Sequence, residues 1–140
     1  MESGPDSRHR AAAADALGYA DESKEQIAAL VHASLDPSGE VRNNAIRALG
    51  VLADFDPKAI VHIPIKPYIR LMHSVDWVDR NKTVFLIDSF TTTRAPEVLR
   101  LLRSDALVPL CEIAQWQDAG HASAPSPLSA ALREWMTTHY

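Results

Sequence analysis

Apolar side chains recur at helical spacing through most of the chain, and short polar or proline-containing segments separate the runs. In residues 27–35 the apolar and small positions follow i, i+3, i+4, i+7 and i+8, which places them on one face of a helix. No segment shows the sustained alternation of apolar and polar residues that predicts a strand. The pattern predicts an all-α chain of roughly seven or eight helices joined by short loops.

The clearest predicted helix lies within residues 36–50, DPSGEVRNNAIRALG. Pro37 disfavours helix in the residue before it and suits the first turn of the next helix, so Asp36 or Ser38 is the expected cap. Gly50 lies inside the pattern, where glycine is less favourable than alanine, and we expect a close helix crossing there. The expected buried face of this helix, residues 40–53, consists of Val41, Ala45, Ala48, Leu49 and Leu52.

Other runs predict further helices on both sides of this one. Pro64 and Pro67 forbid a continuous helix through their region, which predicts a bent or broken unit. The centre of the longest helix, residues 84–87, is apolar almost all round and is expected to be buried by several neighbours. The further predicted helices span approximately residues 6–19, 24–34, 67–73, 76–91, 95–103, 106–117 and 128–138.

The length of 140 residues fits a single domain, which we expect to cover residues 1–140. Within it, residues 1–5 are expected to be a loose lead-in, and residues 118–127 (DAGHASAPSP) a flexible loop before the last helix. The first helix has no helix before it on which to pack. We therefore expect it either to cap the fold or to continue from a longer chain or a larger complex.

Composition narrows the class of protein. With 46% apolar and 23% charged residues and no apolar run near about 18 residues, the chain is expected to be folded and not to span a membrane. The net charge of -4 argues against a dedicated nucleic-acid binder. Cys111, the single cysteine, lies in an apolar run and is expected to be a buried, inert thiol. The polar N-terminus does not resemble a signal peptide, so a cytoplasmic protein is expected.

The helical pattern repeats along the chain. Arg10, Arg42 and Arg80 align at intervals of 32 and 38 residues, and small or apolar residues follow each of them at matching positions. Glycine occurs at the same place in the first two copies, at positions 18 and 50. Such intervals are typical of stacked helical hairpins, in which neighbouring units bury the apolar stripe that one unit cannot bury alone.

The pattern Asp-Pro-x-x-x-Val-Arg-x-x-Ala-x-x-Ala-Leu-Gly in residues 36–50 resembles the second half of a HEAT repeat. Residues 8–18 (RHRAAAADALG) resemble the same half without the leading Asp-Pro, and residues 76–90 and 128–136 resemble degenerate further copies. The resemblance covers about residues 6–115. It implies a right-handed α-solenoid of about three to four HEAT-like helical hairpins, with the second, or B, helix of each pair along a concave face.

The resemblance also implies a role for two polar residues. In HEAT repeats, an aspartate and an arginine spaced like Asp36 and Arg42 join a polar ladder between successive units. The position of Asp36 is occupied by Gly4 in the first copy and by Ser74 in the third. The ladder is therefore expected to be broken or to rely on other groups.

Basic and polar residues recur at the start of three predicted B helices, where they could form a stripe on an otherwise acidic surface. One interpretation is a docking surface for an acidic or extended peptide, a protein or a phosphate backbone; the other is a solvated face plus the inter-repeat ladder. We expect a protein-interaction or scaffold module without catalytic activity. The candidate partner-binding residues are Arg10, Arg42, Asn43, Arg47, Arg80, Asn81 and Lys82, with Arg8 beside them.

Two enzymatic alternatives follow from the resemblance. A family of DNA glycosylases is built from HEAT-like repeats and uses Trp and Asp against alkylated DNA, which makes Trp77 and Asp79 candidates for stacking on a cationic base and assisting bond cleavage. Some HEAT-like proteins of photosynthetic microbes are bilin lyases, and nothing in this sequence distinguishes that activity. The six histidines lack metal-site spacing and no phosphate-binding loop occurs, so neither a metal nor another cofactor is expected.

Overall fold

Seven α-helices and one short 3-10 helix make up the part of the chain that the structure, a computed structural model, describes: residues 5–19, 24–56 and 58–114. The all-α prediction is confirmed. Residues 1–4 of the predicted lead-in, the predicted loop 118–127 and the predicted helix 128–138 lie outside the described residues. The helices are α1 (Pro5–Leu17), α2 (Lys24–Ala33), α3 (Gly39–Phe55), α4 (Ile65–Leu71), α5 (Trp77–Thr92), α6 (Pro96–Asp105) and α7 (Leu107–Ala114), with the 3-10 helix (Ala59–His62) before α4.

Short polar side chains and proline set the helix boundaries. Asp36 accepts a hydrogen bond from the backbone N–H of Ser38 at 2.8 Å, which orders the turn before α3. Asp76 caps α5, because its carboxylate accepts from the N–H of Val78 at 2.9 Å. The expected broken unit is the 3-10 helix followed by α4, with Pro64 directly before the first residue of α4.

The helices form two layers. α3 packs along both α1 and α5, and these three helices form the inner layer. The outer layer consists of α2, which packs on α1 and α3, then α4, which packs on α5, and α6, which packs on α4 and α5. The pairs α2–α3, α4–α5 and α6–α7 are the second, third and fourth units of an all-α solenoid, and α1 is the inner helix of the first unit.

The apolar stripe of α3 lies at the centre of the core. Leu49 is fully buried in one cluster with Leu30 of α2 and Leu86 of α5, and a second cluster joins Met72 and Ile87 to α6 and α7. Each fully buried leucine contributes roughly 2 kcal/mol to folding, so this stripe supplies much of the stacking energy. All the predicted stripe residues are buried: Val41, Ala45, Ala48, Leu49 and Leu52.

The glycine that permits a close helix contact is Gly18 and not Gly50. A Cβ atom at Gly18 would lie 3.1 Å from the Cβ of Ala48 and 3.2 Å from the backbone oxygen of Asp15. A Cβ atom at Gly50 would meet no atom within 4 Å. The prediction of a close crossing at Gly50 is therefore wrong, because this residue lies on the exposed side of α3.

Two predictions of burial are also wrong. Phe85, at the apolar centre of α5, is 38% exposed, because α5 belongs to the inner layer and this position faces away from the outer helices. Cys111 is half-buried, because α7 packs chiefly on α6 within the described part of the chain. No helix among the described residues is both long and apolar enough to cross a membrane.

Candidate partner-binding face

The first of the three aligned arginines lies near the start of α1 and reaches forward to the second unit. Arg10 donates from Nε and Nη2 to the two carboxylate oxygens of Asp36, at 2.8 and 3.0 Å. It also lies 3.4 Å from the carboxylate of Asp6, one turn earlier in α1. The side chain of Asp36 is 14% exposed and that of Arg10 is 40% exposed, so this two-point contact is partly shielded from water.

The second arginine makes the same contact one unit further along. Arg42, near the start of α3, donates from Nε and Nη2 to the two carboxylate oxygens of Asp79, at 2.8 and 2.9 Å. The hydroxyl of Ser74 also donates to Asp79 at 2.8 Å, and the carboxylate of Asp76 lies 3.6 Å from Arg42. Arg42 further donates to the backbone oxygen of Asp36 at 2.9 Å, which fixes the turn before its own helix.

Successive units are thus joined by an arginine from the earlier unit and a carboxylate from the later one. Asp36 and Arg42, the expected ladder residues, each take part, but their side chains pair with different units. In the third unit the aspartate position is Ser74, and Asp79 of α5 supplies the carboxylate instead. The sequence signal for Asp79 is an acidic residue in the first turn of the next inner helix.

These hydrogen bonds shift three pKa values, and the bond to Asp36 raises the pKa of Arg10. Hydrogen bonding from Arg10 lowers the pKa of Asp36, and the N–H of Ser38 acts in the same direction. Hydrogen bonding to Asp79 raises the pKa of Arg42. The links between units are therefore ion pairs at neutral pH.

The exposed side of the inner layer is called the inner face, and two of the remaining candidate residues, Arg47 and Lys82, lie on it. Arg47 is exposed on α3 and forms an ion pair with Asp15 of α1. Lys82 of α5 is half-buried, and its Nζ atom lies 6.0 Å from the ring centroid of Phe85. Asn43 donates to Asn44 at 3.4 Å. Arg80 and Asn81, in the first turns of α5, are half-buried.

A groove runs along the inner face between α3 and α5. It has a volume of about 240 Å³ and is lined by apolar, basic and acidic residues. A smaller cleft of about 100 Å³ lies between α1 and α3, and Arg47 and Val51 line both. Sequence reasoning missed the groove, although Phe85 aligns with the polar residues Asp15 and Arg47, which predicts an exposed position.

The two residues proposed for a glycosylase, Trp77 and Asp79, lie in the first turn of α5. Asp79 is only 3% exposed, and both of its carboxylate oxygens are bonded to Arg42. Trp77 is the first residue of α5 and is half-buried. In this arrangement the carboxylate holds two repeats together and does not face an open site.

One comparison with known proteins identifies the type of repeat. Residues 1–63 match the family model of HEAT repeats. This N-terminal part of the chain carries HEAT repeats. HEAT repeats are generally protein-interaction or scaffold modules, and the family is typically non-catalytic. Comparison with curated proteins and with solved structures gives no match.

The match ends at residue 63, and the helices after it pack as further units of the same stack. α4 and α5 continue the stack that α2 and α3 begin, and Arg42 bridges the two pairs. Within the residues that the structure describes, no group of three His, Cys, Asp or Glu side chains is arranged to hold a metal ion.

Proposed function

We propose that this HEAT-repeat chain is a protein-interaction module that binds its partner on the inner face. The observation that carries the proposal is the exposure of large apolar side chains on α3, on α5 and in the turn that follows α1. Tyr19 is 86% exposed, Val51 49% and Phe85 38%, and each lies beside a cleft or groove. Contiguous apolar surface rimmed by polar groups is typical of interaction sites, whereas single exposed apolar residues are common everywhere.

The proposed contact residues are a subset of the basic and polar candidates. Arg10 and Arg42 mainly hold successive units together, so their part in binding is to fix the spacing of the inner helices. Arg47 and Lys82 line the groove and supply its positive charge. Asn43, Arg80 and Asn81 complete the proposed polar border.

The expected partner is a protein, bound through an extended segment, and the module acts as a scaffold with no chemistry of its own. We place it in the cytoplasm and treat residues 1–140 as one domain. The position of Asp79 weighs against the glycosylase alternative, because its carboxylate is 3% exposed and paired with Arg42, so it does not face a space that a base could enter.

Site-specific cross-linking tests which face binds. A photoreactive phenylalanine analogue at Phe85 should capture a defined protein in cells, and the same analogue at Val61 should not. Val61 is the matched control, because it is 80% exposed but lies in the 3-10 helix, outside the inner layer. Equal capture at both positions, or capture at Val61 alone, would contradict the proposal.

Charge reversal then tests the affinity of the purified partner. Arg47→Glu with Lys82→Glu should weaken binding by tenfold or more, because two attractive charges become repulsive. Lys66→Glu with Arg70→Glu on α4 makes the same change in net charge away from the inner face and should leave the affinity unchanged. If the two double variants lose affinity equally, the effect belongs to net charge and not to the face.

A further inference from the structure

Gly50 lies inside α3 without a structural reason for being glycine. It sits eleven positions after the first residue of a helix that spans Gly39–Phe55, and no glycine among the described residues has a positive φ. A Cβ atom there would meet nothing within 4 Å. Glycine is less favourable than alanine in a helix interior. Neither backbone conformation nor packing therefore explains this residue, in contrast to Gly18, where a Cβ atom would crowd Ala48 at 3.1 Å.

Gly50 lines the groove between α3 and α5. Val51 follows it on α3, and Phe85 lines the opposite side on α5. Any side chain at position 50 would project into this space of about 240 Å³, which is large enough to accept an aliphatic or aromatic side chain. The missing side chain keeps the apolar middle of the groove open.

The charges along the groove have a fixed order because α3 and α5 run parallel. Arg42 contacts Asp79 near the starts of the two helices, and Asp54 accepts a hydrogen bond from the hydroxyl of Ser89 at 2.7 Å near their ends. The helix beginnings therefore lie at the same end of the groove, and so do the helix ends.

The groove accordingly has a basic end and an acidic end. Arg47, which also forms an ion pair with Asp15 of α1, lines the end nearer the helix starts together with Lys82. Asp54 and Asp88 line the end nearer the helix C-termini. Arg47 and Asp54 are seven residues apart on α3, so the two ends are about 10 Å apart at the helical rise of 1.5 Å per residue. An extended chain covers that distance in about three residues.

We infer that the groove over Gly50 receives an apolar side chain of the partner, within a short extended segment that carries an acidic residue at one end and a basic residue about three positions away. The acidic residue faces Arg47 and Lys82, and the basic residue faces Asp54 and Asp88. The inference rests on the proposed function, since it specifies the chemistry of the segment that the inner face binds. The order of charge along the groove selects this occupant over a uniformly acidic or uniformly basic one.

Synthetic peptides test the inference on the full-length chain. The probe is a soluble peptide with the core Glu-Leu-Ala-Lys, titrated to millimolar concentration and followed by amide NMR shifts. Three related peptides replace the core by Glu-Leu-Ala-Glu, Lys-Leu-Ala-Lys or Glu-Ser-Ala-Lys. We expect saturable shifts around Gly50 and Phe85 with the first peptide, and at least tenfold weaker binding with each of the others.

Substitutions at Gly50 give the decisive comparison. Gly50→Leu fills the groove and should weaken binding of the first peptide at least tenfold, while Gly50→Ala should weaken it less than threefold. Both replace glycine by a better helix former, so the helical circular dichroism should be retained. Ala29→Leu, which adds a leucine at an exposed position of α2, is the control for an added apolar side chain and should bind like wild type.

Two outcomes overturn the inference. One is the absence of saturable shifts near Gly50 at millimolar peptide, and the other is equal binding by wild type and Gly50→Leu. If the protein captured through Phe85 binds Gly50→Leu as tightly as wild type, the inner face binds without using the groove, and the proposed function stands alone. If no protein is captured through Phe85, the proposed function fails whatever the peptides do.

Discussion

Arg42 binds both carboxylate oxygens of Asp79 at 2.8 and 2.9 Å and so joins the second helical unit to the third. The two residues are 37 positions apart in the chain, and their side chains are 16% and 3% exposed. A charged pair so removed from water is costly to break, because the residue left behind keeps its charge without a partner.

Removing the arginine should therefore destabilise the fold strongly. We expect Arg42→Ala to lower the free energy of unfolding by about 3 kcal/mol, measured by chemical denaturation. The double variant Arg42→Ala with Asp79→Ala should lose less free energy of unfolding than the two single variants lose in sum. Arg47→Ala, which removes the exposed pair with Asp15, is the control and should cost no more than about 1 kcal/mol. Equal losses for Arg42→Ala and Arg47→Ala would refute this account of the ladder.

The link between the first and second units should respond to acid. Its aspartate, Asp36, has a lowered pKa in the folded protein, chiefly because Arg10 donates to it. The resulting stability is present above the unfolded-state pKa of about 3.9 and is lost as the pH falls through the lower folded-state pKa. The stability advantage of wild type over Asp36→Asn should therefore be constant from pH 7 to about pH 5 and shrink below about pH 4.

The measurement is urea unfolding of both proteins at several pH values between 3 and 7. In an Arg10→Gln background, the difference in free energy of unfolding between Asp36 and Asp36→Asn should depend less on pH. The hydrogen bond from Arg10, which is the main cause of the lowered pKa of Asp36, is then absent. Glu112→Gln, at an exposed position of α7 and away from Arg10, serves as the control for removing one negative charge. An advantage that grows on acidification would contradict the assignment.

Substitution by alanine should change the free energy of unfolding in opposite directions at Gly50 and at Gly18. Gly50→Ala should raise the free energy of unfolding by about 0.5–1 kcal/mol, because the helix gains a better former and nothing is crowded. Gly18→Ala should lower it by about 1 kcal/mol, because the new methyl group would press on Ala48. Thermal melts of both variants check the prediction, and a rise in melting temperature for Gly18→Ala would contradict the close contact of α1 with α3.

Tyr68 should resist ionisation until strongly alkaline pH. Burial raises its pKa to about 12, against a smaller opposing effect of the hydrogen bond with Ser34. The hydroxyl oxygens of Tyr68 and Ser34 are 3.0 Å apart, and Ser34 also donates to the backbone oxygen of Val31 at 2.7 Å. The stability that follows from this shift is complete below the unfolded-state pKa of about 10 and is lost as the pH rises towards 12.

The corresponding experiment compares wild type with Tyr68→Phe by urea unfolding between pH 8 and pH 11.5. Near pH 8 the variant should be less stable by about 1 kcal/mol, the net value of one hydrogen bond. Above pH 10 the wild type should lose stability faster than the variant, because unfolding then releases the proton of Tyr68. Parallel pH profiles for the two proteins would rule out a raised pKa at this tyrosine.

Local patterns in the sequence were sufficient for the helices but not for the contacts between units. The spacing of Val41, Ala45 and Leu49 predicts the buried face of α3, because helical periodicity is a property of neighbouring residues. The role of Asp79 depends on which residue of the next unit lies opposite Arg42, and the aligned position there is a serine. The sequence therefore predicts only that the ladder is broken or relies on other groups, and it does not identify those groups.

The local sequence pattern also does not predict which residues of the inner helices are exposed. Val84–Ile87 is apolar at every position, so its periodicity does not indicate which side faces the outer helices. The two glycines are equivalent in sequence, yet only Gly18 lies against a neighbouring helix. Only the packing of α3 between α1 and α5 distinguishes them, and that arrangement leaves Gly50 over open space.

The direction of the ion pairs would allow one unit of this chain to be duplicated in tandem. The α2–α3 unit carries Asp36, which receives an arginine from the unit before it, and Arg42, which reaches a carboxylate in the unit after it. In a tandem duplication of that unit, the new aspartate would meet an arginine and the new arginine would meet an aspartate. The inner face could thus grow longer by one helix without leaving a charge at the new junction uncompensated.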